Sequence, residues 1–250
     1  MIVIPMAGMS SRFFKAGYTL PKYMLKAHGQ TLFALSIKSF SEYFDKDDFL
    51  FVTLNQYDTP AFVENQCRQL GIHSFDIVAI PEVTRGQAET VAVGLENTSL
   101  AGDMSALPIT IFNCDTALPG FRQPDFADDC DGYLDVFIGS GANWSYVRPH
   151  PDEPGRAIET TEKNPISDLC SSGLYHFRRA ADFLDVFRLQ LEGGVEALPL
   201  NEFYIAPMYN ELIRRGADIR YRVTDEDGIV FFGVPDEYDA LLARLPDSLR

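Results

Sequence analysis

The residues best suited to chemistry lie near the amino terminus, in a short segment rich in glycine, serine and positive charge. Gly8, Ser10 and Ser11 follow an apolar run, and the basic residues Arg12 and Lys22 come after them. Small residues in such a loop let backbone N–H groups and hydroxyls point at phosphate oxygens. An arginine can bind two of those oxygens at once, and a lysine adds a compact charge. The segment therefore predicts a phosphate-binding site, although it is neither a GxGxxG fingerprint nor a Walker loop.

The distribution of charge along the chain supports this interpretation. The first 40 residues contain five of the 21 Lys and Arg residues and none of the 36 Asp and Glu residues, although the whole chain carries a net charge of -15. An acidic surface repels nucleic acid and anionic membranes, so we expect neither as a partner. A local cationic segment in such a protein instead favours a small polyanion.

Two further groups of polar residues follow predicted strands. Asp115 comes after the strand expected over residues 107–113, where a carboxylate beside a triphosphate can hold Mg²⁺ through one or two oxygens. The alternative role for Asp115 is to cap a turn, which is common at strand ends. Gly86 and Gln87 follow the strand expected over residues 75–80. Glycine permits close approach of a ligand to the backbone and an amide can read a base edge, but these residues also fit an ordinary helix start.

The elements that must position these residues alternate between strands and helices in the first half of the chain. Short apolar runs predict buried strands, and apolar residues at helical spacing predict helices. Residues 7–22 show no helical stripe and are expected to form a long loop. This alternation predicts an α/β, Rossmann-like fold with a mostly parallel mixed sheet, helices on both faces, and ligands at the carboxyl ends of the strands. Strands are expected over 1–5, 49–54, 75–80 and 107–113, and helices over 31–43, 59–70 and 87–95.

The second half of the chain has a different pattern. Short segments divided by glycine and proline turns predict strands between residues 131 and 177. We interpret them as a small added β layer, on the same core, that binds a substrate. The remaining elements are expected to be helices at 178–192 and 202–215, a strand at 217–223 and a last helix from Pro235.

Five motifs along the chain resemble one protein family. Pro5–Phe13 (PMAGMSSRF) with Gly17–Leu25 (GYTLPKYML) is similar to the amino-terminal signature of sugar-1-phosphate nucleotidylyltransferases, which include small bacterial cytidylyltransferases of surface-polysaccharide synthesis. The family pattern usually has glycine where Ser10 stands. The resemblance implies a GT-A-like nucleotidyltransferase fold in one domain, 1–250, with a nucleotide-binding half (1–130) and an acceptor-binding half (131–250). The other four motifs, in chain order, are TRGQAETV, FNCDT, TEKNPISDLCSSGLYHF and NEFYIAPMYNELI.

The resemblance also implies roles for individual residues on the nucleotide side. Arg12 and Lys22 would hold the triphosphate and stabilise the departing pyrophosphate, and Asp115 would hold Mg²⁺, so these three are the candidate catalytic residues. The residues implied to contact the nucleotide are Ala7, Gly8, Ser10, Ser11, Arg12, Gly86, Gln87 and Ala88.

On the acceptor side, the resemblance implies four contacts. Lys163 would bind the acceptor phosphate and Glu162 the acceptor hydroxyls. Gly173 would let the backbone approach the acceptor, and Glu202 would lie near it.

The carboxyl-terminal part of the chain departs from the family pattern. Many relatives have an aspartate two residues before a glycine, which completes the metal site, and Phe231 stands at that position here. The second metal ligand is therefore open. Either Asp115 holds Mg²⁺ with phosphates and water alone, or Asp225 or Asp227 reaches in from the preceding segment.

The expected activity is transfer of a nucleoside monophosphate from a triphosphate to a phosphorylated acceptor, with release of pyrophosphate and with Mg²⁺ as cofactor. A sugar 1-phosphate is the first candidate acceptor, for polysaccharide precursor synthesis, and a small phosphorylated alcohol or amide is the alternative. A nucleotide-sugar glycosyltransferase is disfavoured, because the strand end at Asp115 carries no DxD triplet. A non-catalytic nucleotide-binding module also stays open.

The composition of the chain indicates a cytoplasmic protein. It has no apolar stretch of bilayer length, and its amino-terminal apolar run has no basic region before it. The four cysteines are irregularly spaced and predict neither a zinc site nor a disulfide framework. The sequence is compatible with a homo-oligomer.

Overall fold

One large β-sheet organises the computed structural model, which describes residues 1–100 and 102–249. Buried apolar runs supply most of its strands, as expected for a sheet that is covered on both faces. In chain order the strands are β1 (Ile2–Met6), β2 (Lys26–Ala27), β3 (Gln30–Thr31), β4 (Asp48–Leu54), β5 (Ser74–Ile80), β6 (Ile109–Phe112), β7 (Thr116–Ala117), β8 (Gly132–Ile138), β9 (Ser145–Pro149), β10 (Ala157–Glu162), β11 (Leu169–Phe177), β12 (Ile219–Val223) and β13 (Val230–Phe231).

The helices are short, the longest spanning 14 residues, and several separate segments of 3-10 helix lie between the other elements. Within the described residues, none is both long enough and apolar enough to cross a membrane. In chain order they are α1 (Ser11–Lys15), α2 (Leu32–Ile37), α3 (Thr59–Leu70), α4 (Gln87–Asn97), α5 (Ala180–Gly193), α6 (Tyr209–Arg214) and α7 (Pro235–Ala243).

The main sheet has a parallel part and an antiparallel part. β1 pairs in parallel with β4 and β6, and β4 pairs in parallel with β5. β11 lies antiparallel to β6 and joins β8 and β9 to the sheet, and β10 and β12 extend it further. The strands that we expected as an added layer therefore continue the main sheet. The pairs β2–β3 and β7–β13 form two small sheets outside it.

The side chains of β4 show why helices cover both faces of the sheet. Leu50 and Val52 belong to one buried cluster, which includes residues of α4, whereas Phe49 and Phe51 belong to a second. Phe51 packs against Phe33 of α2, with ring centroids 5.5 Å apart. Successive residues of a strand point to opposite faces, so an unbroken apolar run can fill two cores at once. The predicted α/β fold is confirmed.

Three predicted elements differ in the structure. The loop expected over 7–22 contains α1, which begins after Ser10. The helix expected over 31–43 ends at Ile37 and continues as 3-10 helix, with Phe40 in a non-helical conformation. Only Tyr209–Arg214 of the segment 202–215 is α-helical. Pro207 accounts for the last difference: it lies in the first turn of the 3-10 helix Ala206–Met208, and a proline, which has no N–H, fits a helix only in its first turn.

Candidate active site

Two adjoining cavities open where β1 and β6 end. The larger, of about 540 Å³, is lined by the predicted phosphate loop at Ala7 and Gly8 and by Lys22. The smaller, of about 250 Å³, is lined mainly by residues of the second half of the chain and by Arg12. Both cavities are lined by Gln87, Asn113 and Asp115, so these three side chains stand at their junction.

Some residues of the predicted phosphate loop line the cavities, and others hold the neighbouring backbone in place. Ser10 has a φ of 51°, a conformation that favours glycine and that accounts for the glycine of the family pattern at this position. Its hydroxyl accepts a hydrogen bond from the Lys22 backbone nitrogen at 3.1 Å, so Ser10 fixes the segment that carries Lys22. Ser11 lines a separate cavity with Tyr57. Neither serine lines the two cavities at the junction.

Lys22 and Asp115 form an ion pair inside the larger cavity. Lys22 Nζ lies 2.6 Å from Asp115 Oδ2, and the two side chains are only 21% and 28% exposed. Burial alone would lower the pKa of Lys22, but the charge and hydrogen bond of Asp115 outweigh it and raise the pKa. The ammonium group therefore stays charged at neutral pH.

Arg12 is the second cation of the site. Its side chain is exposed, lines the smaller cavity and has no carboxylate within ion-pair distance in the part of the chain that the structure describes. Its charge acts on both Lys22 and Tyr204, which lie on opposite sides of the junction. An unpaired guanidinium at this place can bind a phosphate bidentately.

Asp115 is held by the turn that follows β13. The Asp115 carbonyl accepts a hydrogen bond from the Phe232 nitrogen at 3.0 Å. A Cβ at Gly233 would lie 2.9 Å from Asp115 Oδ2, so only glycine lets the turn pack this closely. Phe231, at the position of the family's second aspartate, lines the smaller cavity and packs against Trp144 with ring centroids 4.9 Å apart.

The two aspartates proposed as alternative metal ligands lie elsewhere. Asp225 and Asp227 flank the start of the 3-10 turn Glu226–Gly228, and neither lines the two cavities at the junction. Asp227 lines a different cavity beside α7. The structure therefore places neither of them among the residues that line the cavities with Asp115.

The predicted base-binding segment has a packing role as well. Gly86 has a φ of 145°, and a Cβ there would lie 2.5 Å from the Phe203 nitrogen. Ala88 is buried, and its N–H donates to the Phe203 carbonyl at 2.9 Å. Ala88 lines neither cavity, and its contact with the nucleotide stays a prediction. Gln87 lines both cavities and donates a hydrogen bond to Asn113.

The predicted acceptor residues are distributed over both cavities. Glu162 and Gly173 line the smaller one, whereas Glu202 lines the larger one. Burial raises the pKa of Glu162, which accepts a hydrogen bond from Ser145. Lys163 lines neither cavity but donates to the Tyr204 hydroxyl at 2.7 Å, beside the smaller cavity.

Several residues that line the smaller cavity are not among those predicted from the sequence. Asn113 stands two residues before Asp115, and Gly173 packs on it so closely that a Cβ would lie 2.7 Å from Asn113 Nδ2. Tyr175 and Tyr204 stand inside two of the five motifs, which could have marked them. The others have no spacing signal, because folding brings them together from distant segments. They are Asn143, Trp144, Ser145 and Glu237.

The residues at the junction suit a magnesium ion that is held partly by substrate phosphates and water, and not by side chains alone. In residues 1–100 and 102–249, no three His, Cys, Asp or Glu side chains converge as a metal site. Mg²⁺ usually keeps several waters and takes one or two carboxylates together with substrate phosphates. Asp115 meets that requirement, since the Lys22 ammonium already lies against its carboxylate as a stand-in cation.

The chain is similar over nearly its whole length to solved structures of nucleotide-transferring enzymes. A nucleoside-diphosphate-sugar pyrophosphorylase from Vibrio cholerae RC9 is 51% identical, with a TM-score of 0.92, over 98% of this chain and 100% of that chain. The inositol-1-phosphate CTP transferase from T. maritima is 14% identical, with a TM-score of 0.71, over 98% of this chain and 95% of that chain. A UDP-glucose pyrophosphorylase complexed with UDP-glucose is also 14% identical, with a TM-score of 0.72, over 97% and 96%. No protein-family profile and no curated protein matches the chain.

Proposed function

This chain belongs to the nucleoside-diphosphate-sugar pyrophosphorylases of the sugar-1-phosphate nucleotidylyltransferase family, and from that premise we propose a reaction for its two cavities. A nucleoside triphosphate binds in the larger cavity and a phosphorylated acceptor in the smaller one. The enzyme transfers the nucleoside monophosphate to the acceptor and releases pyrophosphate. The observation that carries this proposal is the junction at Gln87, Asn113 and Asp115, where both cavities meet beside Lys22 and near Arg12.

The proposed step is a direct in-line displacement. An oxygen of the acceptor phosphate forms a bond to the α-phosphorus, while the bond between that phosphorus and the oxygen bridging to the β-phosphate breaks. The leaving group is pyrophosphate. Catalysis of this kind depends on positioning and on charge stabilisation, so it requires no nucleophilic side chain.

Lys22 and Arg12 supply positive charge from two sides. Lys22 lies beside the predicted phosphate loop in the larger cavity and stabilises the departing pyrophosphate. Arg12 lines the smaller cavity, where it binds the triphosphate near its α-phosphate and, with Lys22, stabilises the departing pyrophosphate. Asp115 would hold Mg²⁺, which, when bound, neutralises charge on the phosphates.

A sugar 1-phosphate is the first candidate acceptor. The nucleotide sugar formed from it would serve as a polysaccharide precursor in the cytoplasm. Glu162, Ser145 and Asn143 line the smaller cavity and offer polar atoms to hydroxyl groups. A small phosphorylated alcohol or amide is the second candidate. The aromatic pair Trp144 and Phe231 favours it, because these side chains take up space in a cavity of only about 250 Å³.

Two measurements test the function. Thermal unfolding with each nucleoside triphosphate, with and without Mg²⁺, identifies the base, since a ligand at about a hundred times its dissociation constant adds roughly 2.7 kcal/mol. Pyrophosphate release is then measured with that triphosphate against glucose 1-phosphate, other sugar 1-phosphates, glycerol 3-phosphate and phosphocholine. We expect release with one acceptor class only. Consumption of a nucleotide sugar without pyrophosphate, or nucleotide binding with no release for any acceptor, would overturn the proposal.

A further inference from the structure

A second carboxylate lies beside Asp115 although the family's second aspartate is missing. Glu237, in the first turn of α7, lines the smaller cavity together with Asp115. Glu237 Oε2 accepts hydrogen bonds from the Gly233 nitrogen at 2.8 Å and from the Val234 nitrogen at 3.2 Å. Asp115 Oδ2 would lie 2.9 Å from a Cβ at Gly233. Both carboxylates therefore approach the same glycine, Glu237 at its nitrogen and Asp115 at the place that a side chain there would occupy.

A cation lies against one of these two acids. The Lys22 ammonium lies 2.6 Å from Asp115 Oδ2. Burial raises the pKa of Glu237, the charge of Asp115 adds to this, and the charge of Lys22 opposes it. Glu237 has no ion pair of its own within the described part of the chain. The ammonium group is thus paired with Asp115, and its charge also acts on Glu237.

We propose that Glu237 is the second acidic residue of the divalent-cation site, in place of the aspartate that Phe231 replaces. The proposal rests on the proposed nucleotidyl transfer, in which Asp115 holds Mg²⁺. Glu237 Oε2 is used by the turn, but no hydrogen bond among the described residues uses Oε1, so this oxygen is available to the ion or to one of its waters. The divalent ion would compete with the Lys22 ammonium for Asp115.

The competing explanation is that Glu237 only caps α7. Its hydrogen bonds to Gly233 and Val234 satisfy N–H groups at the start of that helix, which is a purely structural role. Glu237→Gln separates the two explanations. The glutamine amide oxygen can still accept both hydrogen bonds, so the cap is kept, whereas the charge that attracts the cation is lost.

The test is direct binding of Mn²⁺, measured by electron paramagnetic resonance and by calorimetry, on the full chain with and without pyrophosphate. Neither measurement depends on turnover or on the acceptor, so failure here is distinguishable from failure of the proposed reaction. We expect E237Q to weaken Mn²⁺ binding at least tenfold with an unchanged melting temperature, and D115N to weaken it further. The matched controls are D225N and D227N, which should bind Mn²⁺ like the unmodified protein.

Three results would overturn the proposal. The first is an E237Q affinity equal to that of the unmodified protein, which would leave Glu237 as a helix cap. The second is a loss of binding in D225N or D227N, which would assign the second ligand to that segment. The third is the absence of any Mn²⁺ binding by the unmodified protein, both alone and with pyrophosphate.

Discussion

Lys22 Nζ and Asp115 Oδ2 lie 2.6 Å apart, although 93 positions separate these residues in the chain. Lys22 begins a single 3-10 turn after Pro21, and Asp115 follows β6 at the centre of the sheet. The pair neutralises both charges within the cavity. A triphosphate would compete for Lys22 and a divalent ion for Asp115, so the proposed reaction predicts that substrate binding separates the two side chains.

The first prediction concerns this pair. Lys22→Ala removes the charge that stabilises the leaving pyrophosphate, and Asp115→Ala removes the cation ligand, so each should lower kcat by about 100-fold with a smaller change in KM. Steady-state pyrophosphate release measures both values. Lys26→Ala is the matched control, because Lys26 is an exposed lysine of the same acid-free segment. Near-normal kcat in both Lys22 and Asp115 variants would contradict the assignment.

The second prediction concerns Gly86. A Cβ there would lie 2.5 Å from the Phe203 backbone nitrogen, and φ is 145°, so Gly86→Ala should destabilise the protein by about 3 kcal/mol or more. Urea unfolding measures the loss. Gly193→Ala is the control, since a Cβ at Gly193 meets no atom within 4 Å. If both variants unfold at the same urea concentration, the packing of Gly86 on Phe203 does not constrain the fold.

The sequence predicts those site residues that differ from their sequence neighbours in charge or polarity. Arg12 and Lys22 stand out in a segment without acids, and Asp115 stands out because it directly follows an apolar strand. Glu237 and Trp144 could not be found in this way. They reach the smaller cavity through the β13 turn and the segment before β9, and no residue spacing encodes such long-range contacts.

The same limit explains why a motif does not say which of its residues face a cavity. Ala88 and Gly86 stand in one motif, yet Ala88 is buried and its N–H donates to the Phe203 carbonyl. The Ser10 hydroxyl accepts a hydrogen bond from the Lys22 nitrogen and so supports that segment, and its contact with phosphate stays a prediction. A motif specifies residue types, whereas the direction of each side chain depends on tertiary packing.

The third prediction concerns acid stability. Burial lowers the pKa of His176 to about 4 from 6.5, with smaller contributions from the amino terminus and Arg178, and its ring accepts or donates a hydrogen bond at Thr110 Oγ1, 3.0 Å away. Because the folded pKa lies below the unfolded value, the neutral imidazole stabilises the fold above pH 6.5, and this contribution is lost as pH falls toward 4. Between pH 7.5 and pH 4.5 the loss should be about 2–3 kcal/mol.

The measurement is urea unfolding of the unmodified protein and of His176→Gln at both pH values. Carboxylates also titrate in this range, so the informative quantity is the difference between the two proteins in their pH-dependent loss. We expect the variant to lose less stability on acidification by about 2–3 kcal/mol. Equal losses in the two proteins would show that His176 does not titrate on unfolding.

The fourth prediction concerns the aromatic wall of the smaller cavity, formed by Trp144 and Phe231. Phe231 contacts Trp144 and Phe137, with ring centroids 4.9 and 5.1 Å away, and stands where relatives have an acidic residue. Phe231→Ala removes a surface against which the acceptor packs, so KM for the acceptor should rise about tenfold while KM for the triphosphate changes little. Phe14→Ala is the control, because Phe14 lines a different cavity. A similar rise in both KM values would instead show that Phe231 stabilises the site as a whole. An unchanged acceptor KM would show that the aromatic wall does not contact the acceptor.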